Sequence, residues 1–385
     1  MSVDYDIVIV GGSLAGRDAA LKAVQQRAKV ALVEPLFRQD LIQLQGIGEV
    51  ASVVGIKDLT RFVVSNSGNR EEEFQISLEK TLLWNSAVAA NISEQLSPAF
   101  LAGQGVDVIV DKGCFQAEPD LSFNVNNRKL VARNFLLATG SIPAIPNIEG
   151  LQKTGFLTLS NIWQVLRNST PPKSWVILGG TPQSVEIAQA LARLGYSVTF
   201  IVNSPCIISP VDPEIARLLQ GQLEVEGIRV FTQSSVTQIR LIEGKKWVQA
   251  GYIAIETDEI LVAVAEQPLI ESLNLAAVGV KYNSRGLSVN KKLQTTNHRI
   301  YACGEVIGGY NLPNIASYEA RIAIKNALFF SKHKINYRAI PWGILTQPTL
   351  AQVGLTERQA KNRYDQNDIL VLRQYFKTLA SAQLI

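Results

Sequence analysis

A chain of 385 residues, 47% hydrophobic and 18% charged, is too long for one ordinary compact domain and too apolar for disorder, so two or three domains are expected. A formal net charge of +4, with no run of Lys and Arg, excludes a phosphate-tracking face, and nucleic acid is not an expected partner. Three widely spaced cysteines, Cys114, Cys206 and Cys303, form neither a disulfide framework nor a zinc knuckle; no metal site is expected, and a reducing cytoplasm is the expected location. The first apolar run, residues 7–10, is too short for a secretory core, and no later stretch reaches the roughly eighteen apolar residues of a membrane span.

In chain order, residues 4–10 read as a β-branched strand, Gly11-Gly12-Ser13 as a glycine turn, and the Ala-rich stretch from Leu14 as a helix ending near Arg27. Lys29 to Val33 resumes strand character and stops at Glu34-Pro35, completing one β-α-β unit. Residues 136–143 read as a strand ending in a turn, a first boundary falls near Gly150, and Thr170-Pro171-Pro172-Lys173 reads as a surface connection. The first pattern then repeats: strand 175–178, the turn from Gly179 to Ser184, a helix, and strand 197–202. The two glycine turns lie 168 positions apart (179 minus 11), so a whole domain recurs; the second ends near Asn274.

Such a turn opens a helix whose exposed N–H groups and dipole attract a pyrophosphate, and glycines let backbone and phosphate approach. In the first turn Ser13 stands where the pattern asks for its second glycine, although a hydroxyl can still donate to phosphate. Glu34, 23 residues beyond Gly11, can accept from a ribose 2′-hydroxyl. In the second turn Thr181 and Ser184 replace small positions, and Val202 stands where an acid would select NADH. Neither Asn203 nor Ser204 supplies an arginine for a 2′-phosphate, so NADPH and NADH both stay open, with a lean to NADPH.

Ala138-Thr139-Gly140, the motif from Gly179 to Glu186, and the stretch Ile300-Tyr301-Ala302-Cys303-Gly304-Glu305-Val306 occur in the order seen in the pyridine nucleotide-disulfide oxidoreductases. Residues 105–110 before Gly113, 258–263 and 346–357 extend the resemblance over nearly the whole chain. That family includes lipoamide dehydrogenase, glutathione reductase and mercuric reductase. The resemblance implies an α/β protein with two Rossmann-like domains: an FAD-binding domain from 1–150 and 275–333, and an NAD(P)-binding domain from 151–274. A truncated α+β dimerisation domain would follow at 334–385.

By the same resemblance Gly11, Gly12, Ser13, Gly16 and Glu34 would hold the ADP half of FAD, with Thr139 and Gly140 nearby. Gly304 leads to Glu305, which matches a ribityl-binding aspartate with one methylene more. The Asn314-Ile315-Ala316 turn matches a helix start that aims N–H groups at the flavin pyrimidine and so favours the reduced, anionic ring. Gly179, Gly180 and Ser184 would form the nucleotide turn, and Glu186 matches an acid beside the nicotinamide.

Two departures bound the function. The family's redox C-x-x-x-x-C pair is absent: Leu41 and Gly46 stand at its equivalent positions, and Val50 stands where the family places a lysine that pairs with the acid matched by Glu186. Cys114, Cys206 and Cys303 are expected to be small buried hydrophobes, so no catalytic residue is assigned. Near Tyr337 the match enters the dimerisation domain, and the sequence stops at Ile385 without the family's His and Glu pair; His298 and His333 read as structural or solvated. A truncated sequence is therefore expected, with an exposed apolar face between Pro341 and Leu372, poor solubility, and a homodimer only if that domain is completed.

The function expected is an FAD-dependent NAD(P)H oxidoreductase that passes hydride from nicotinamide to flavin and then to a diffusible small-molecule acceptor such as a quinone. The alternative is a non-catalytic flavin-binding or regulatory protein with a degenerate nucleotide site.

Overall fold

The computed structural model describes residues 3–34, 94–166, 168, 170–209 and 211–374. The described parts of Met1–Gly46, Ser86–Pro146 and Ala265–Trp342 form one compact unit, and those of Asn147–Val264 and Gly343–Ile385 a second.

The first unit is built on a seven-stranded sheet. Its parallel part runs Val106–Val110, Val30–Glu34, Tyr5–Val10, Arg128–Leu137 and Ile300–Ala302. Arg128–Leu137 is long enough to serve two neighbours in turn. Its first residues pair antiparallel with Ser122–Val125, which pairs with Gly113–Gln116, and its last pair parallel with Tyr5–Val10 and Ile300–Ala302. Val10 stands opposite both Val33 and Leu137, and Ala302 opposite Leu137, so the carboxyl ends of four strands meet along one edge. In open α/β sheets that edge is where ligands bind.

Ile7, Val8 and Ile9 are fully buried, as in a parallel strand covered on both faces. One face packs against the helices Leu14–Gln25 and Pro313–Leu328, whose Ala19, Ala20 and Ala323 let helix and sheet approach closely. The other face carries Phe115, Phe123 and Phe135, with ring centroids 5.0 and 5.4 Å apart in edge-to-face contact. The first helix, expected to end near Arg27, ends at Gln25. Arg27 turns to a positive φ of 60°, and the Ala28 N–H closes on the Ala23 carbonyl at 3.2 Å in a Schellman ending that more often uses glycine.

Two expectations need correction. The boundary placed near Asn274 falls instead between Val264 and Ala265, because the short strand Glu266–Pro268 pairs with Ser141–Pro143 of the first unit. Cys114 is exposed rather than buried: on Gly113–Gln116 side chains alternate, and with Phe115 in the core Cys114 points outward.

The second unit repeats the parallel pattern in the order Arg229–Phe231, Ser197–Ile201, Ser174–Leu178, Glu259–Val262 and Leu157–Thr158. The helix Pro182–Arg193 follows the second glycine turn, and Val236–Ile242, Lys245–Ala250 and Ile253–Thr257 form an antiparallel meander. Toward the C-terminus, Thr356 and Gln359 cap the short helix Glu357–Lys361, and Val353, Leu370 and Leu372 are exposed. Among the described residues no helix is long and apolar enough to cross a membrane.

Candidate functional site

At the carboxyl edge of the first sheet the chain turns through Gly11-Gly12-Ser13 into the Leu14–Gln25 helix. Each glycine answers to a specific neighbour. Gly11 has φ +114°, and a Cβ there would overlap the Ala138 carbonyl; at Gly12 it would overlap the Glu34 carboxylate, and at Gly16 the Gly11 carbonyl. Gly12→Ala is accordingly expected to abolish flavin retention, with the flavin content of purified protein as the readout. Ser13, read as a phosphate contact, is also the helix N-cap: its Oγ accepts from the Gly16 N–H at 3.2 Å. Among the described residues the N–H groups of Gly12 and Ser13 meet no protein acceptor.

Glu34 ends its strand beside this turn and is 1% exposed. Its Oε2 accepts from Arg17 Nη2 at 2.6 Å, while Arg17 Nε donates to the Gly12 carbonyl at 2.8 Å and another guanidinium N–H to the Leu96 carbonyl. Burial pushes the Glu34 carboxyl above its ordinary pKa, against the pull of Arg17. The other oxygen, Oε1, is buried with no partner among the described residues, and so is Thr139 Oγ1 on the neighbouring strand end. Two unmatched buried polar atoms, beside two amides at a helix N-terminus that meet no acceptor among the described residues, fit a polyhydroxylated, anionic ligand such as the ADP half of FAD. Gly140, with φ +75°, completes that edge and accepts from the Leu269 N–H at 3.1 Å.

Further along the edge the 3-10 turn Gly304–Ile307 carries Glu305. Glu305 Oε2 accepts from Ser141 Oγ at 2.6 Å, and the same hydroxyl lies 3.3 Å from Glu266 Oε2. A hydroxyl has one proton, so with it directed to Glu305, Glu266 is best matched when it carries a proton of its own. Burial, then the charge of Glu305, pushes Glu266 up to about 7, with Ser141 opposing; burial also raises Glu305.

Gly304, with φ +76°, donates its N–H to Glu319 Oε2 at 2.7 Å, and Tyr337 donates to Glu319 Oε1 at 2.8 Å. Glu319 is 2% exposed, and burial pushes it to about 7. The Cys303 thiol is fully buried and held well above its ordinary pKa by burial and then by Glu319, so it stays protonated and inert. At the start of the Pro313–Leu328 helix the Ile315 and Ala316 N–H groups close on the Leu312 carbonyl at 3.1 and 3.0 Å. The Asn314 side chain donates to the Pro341 carbonyl at 2.8 Å.

In the second unit the turn Gly179-Gly180-Thr181 opens the Pro182–Arg193 helix, and Thr181 and Ser184 form a reciprocal cap. Glu186, on the first turns of that helix, is buried; its Oε1 accepts from the Leu345 N–H at 2.7 Å, and burial raises it to about 7. Leu41, Gly46 and Val50 lie outside the described residues. Cys206 is half-buried, and His298 and His333 are exposed.

Sequence reasoning named the glycines, Glu34, Thr139, Glu305 and Glu186 but missed Arg17, Ser141, Glu266, Glu319 and Tyr337. For Arg17 a signal existed: a charged residue on the alanine face of a helix otherwise bound for the core.

A family model described as pyridine nucleotide-disulphide oxidoreductase matches residues 5–320. A mercuric reductase of Staphylococcus aureus is 30% identical over 376 residues, covering 94% of this chain and 67% of that protein. One from Bacillus cereus is 28% identical over 373 residues, and there the chain spans 57% of the relative's length. A dihydrolipoyl dehydrogenase of Bacillus subtilis (strain 168) is 30% identical over 376 residues, 93% of this chain and 79% of that protein. The HOCl-induced flavoprotein disulfide reductase RclA from Escherichia coli matches in structure with a TM-score of 0.76 at 23% identity, over 93% of this chain and 79% of that one. This likeness agrees with the α/β architecture of two glycine-turn units.

Proposed function

Because the chain belongs to the pyridine nucleotide-disulphide oxidoreductase family, a family of enzymes, we propose that it is an FAD-dependent NAD(P)H oxidoreductase that serves a diffusible, quinone-like acceptor without a redox disulfide. The observation that carries the FAD reading is Glu34 Oε1, a buried carboxylate oxygen without a partner among the described residues, set beside a turn with no room for a Cβ at Gly11 or Gly12. When bound, the flavin supplies a ring that accepts hydride and returns electrons one or two at a time. The chain's residues bind and orient. The Gly12 and Ser13 amides would bind the pyrophosphate at a helix N-terminus, Glu34 Oε1 would accept from a ribose hydroxyl, and Glu305 would accept from the ribityl chain. We assign the flavin to the first compact unit, which includes Ala265–Trp342, and the nicotinamide nucleotide to the second, which includes Asn147–Val264.

The absence of paired cysteines at Leu41 and Gly46 favours direct transfer to a small acceptor over thiol chemistry. Flavin-loaded protein is expected to reduce a soluble quinone and to give no turnover with lipoamide, glutathione disulfide or thioredoxin. Robust turnover of any of the three disulfides contradicts the reading. By the family resemblance Glu186, whose carboxyl burial raises to about 7, would hold a proton near the nicotinamide. In stopped-flow reduction Glu186→Gln is expected to flatten the dependence of the rate on pH between 6 and 8 while flavin content stays unchanged.

A second reading, a flavin-binding protein without nicotinamide turnover, is supported by the state of the second glycine turn.

A further inference from the structure

The chain contains the same turn twice, and the two copies treat their amides differently. In the first, position 16 is glycine, and among the described residues the Gly12 and Ser13 N–H groups meet no acceptor. In the second, the equivalent position is Ser184, fully buried, and its hydroxyl fills the turn. Ser184 Oγ accepts from the Gly180 N–H at 3.0 Å and the Thr181 N–H at 3.1 Å, and donates to the Thr181 carbonyl at 2.6 Å. It also stands 2.8 Å from where a Gly179 Cβ would be, inside the space that the glycines keep open. The Ser184 N–H goes to Thr181 Oγ1 at 3.2 Å, and Pro182 has no N–H at the position where the first turn has Leu14. The Gly180, Thr181 and Ser184 amides of this helix start are therefore occupied, and the Pro182 amide is missing.

We infer that Ser184 is a specificity-determining latch: its hydroxyl takes the two amides that the pyrophosphate of a nicotinamide dinucleotide needs, and so makes this chain a weak dinucleotide binder. The inference rests on the proposed function only in taking a nicotinamide dinucleotide as the ligand of this turn. A pyrophosphate must break both accepted hydrogen bonds and find a new place for the hydroxyl, whereas at Gly12 and Ser13 it breaks none within the protein. Removing the hydroxyl frees both amides and leaves the Thr181 side chain capping the helix.

The test is a binding measurement on flavin-loaded protein. Dissociation constants for NADP+, NAD+ and a phosphate-free nicotinamide, the 1-benzylnicotinamide cation, none of which can reduce the flavin, are measured calorimetrically for the parent, Ser184→Ala and Ser184→Gly. Both variants are expected to bind at least one dinucleotide about tenfold tighter, equivalent to about 1.4 kcal/mol, with the phosphate-free compound unchanged. Should one variant fail to fold, as judged by its melting curve, the other decides. Dinucleotide affinities equal to or weaker than the parent's, or an equal gain for the phosphate-free compound, overturn the inference. The oxidoreductase reading fails separately, when the reduced form of a dinucleotide that the protein binds leaves the flavin unreduced.

Discussion

Glu34→Ala protein is expected to purify without flavin and to unfold about 3–5 kcal/mol more easily than the parent, the range for removing one partner of a buried ion pair. Glu34 and Arg17 are each 1% exposed and their charged groups lie 2.6 Å apart, so the substitution leaves a buried cation without this counter-charge. It also removes Oε1, the atom assigned to the ribose hydroxyl. Glu34→Gln keeps an acceptor oxygen but loses the charge, and should fall between parent and Ala in both properties. The double variant Arg17→Met with Glu34→Ala separates the two losses: stability should recover relative to Glu34→Ala alone, because the buried cation is gone, while flavin content stays low. Urea unfolding and the flavin-to-protein absorbance ratio read both. A Glu34→Ala protein of parental stability that retains flavin would contradict the assigned role.

The flavin-free protein is expected to be most stable near pH 5 and to weaken steadily toward pH 8. Glu186, Glu266 and Glu319 all have folded-state pKa values raised to about 7, chiefly by burial. A raised value means that the fold holds the neutral acid better than the unfolded chain does. That contribution is complete below the ordinary carboxyl value of 4.5 and is lost as pH rises through 7. For Glu319, a rise from 4.5 to about 7 corresponds to about 3 kcal/mol. Asp258, held down at about 2, titrates below this window and does not offset the loss, and Asp107 and Glu226 are also lowered. Glu319→Gln retains an acceptor for the Gly304 N–H and removes one titration, so its thermal midpoint should fall less steeply between pH 6 and 8 than the parent's. A parent midpoint that rises over that interval would show that these carboxyls are already ionised in the fold.

What could be read beforehand, and what could not, divides on the range of the interactions. Strand, glycine turn and helix follow from neighbouring residues: a β-branched run from Ile7 to Val10, glycines at 11, 12 and 16, then alanines at helical spacing. The repeat at Gly179 was visible for the same reason. The polar constellation was not, because it is assembled across the chain. Ser141 meets Glu266 from 125 residues away and Glu305 from 164, through the pairing of two three-residue strands that carry almost no pattern. That pairing also moved the unit boundary. Ser184 is intermediate: its departure from glycine was legible, but only the three distances around its hydroxyl reveal that the amides of the turn are already occupied. Cys114 was misjudged because composition favours buried cysteines, whereas the alternation set by Phe115 decides its direction.

The central claim, a flavin reduced by a nicotinamide nucleotide, is tested most directly by the visible spectrum of the FAD-supplemented protein, recorded anaerobically before and after NADPH and then NADH. The account predicts that at least one nucleotide bleaches the flavin band and that a quinone, added afterwards without thiols, restores it. A yellow protein whose band neither nucleotide diminishes would contradict it and leave the non-catalytic, flavin-binding reading in its place.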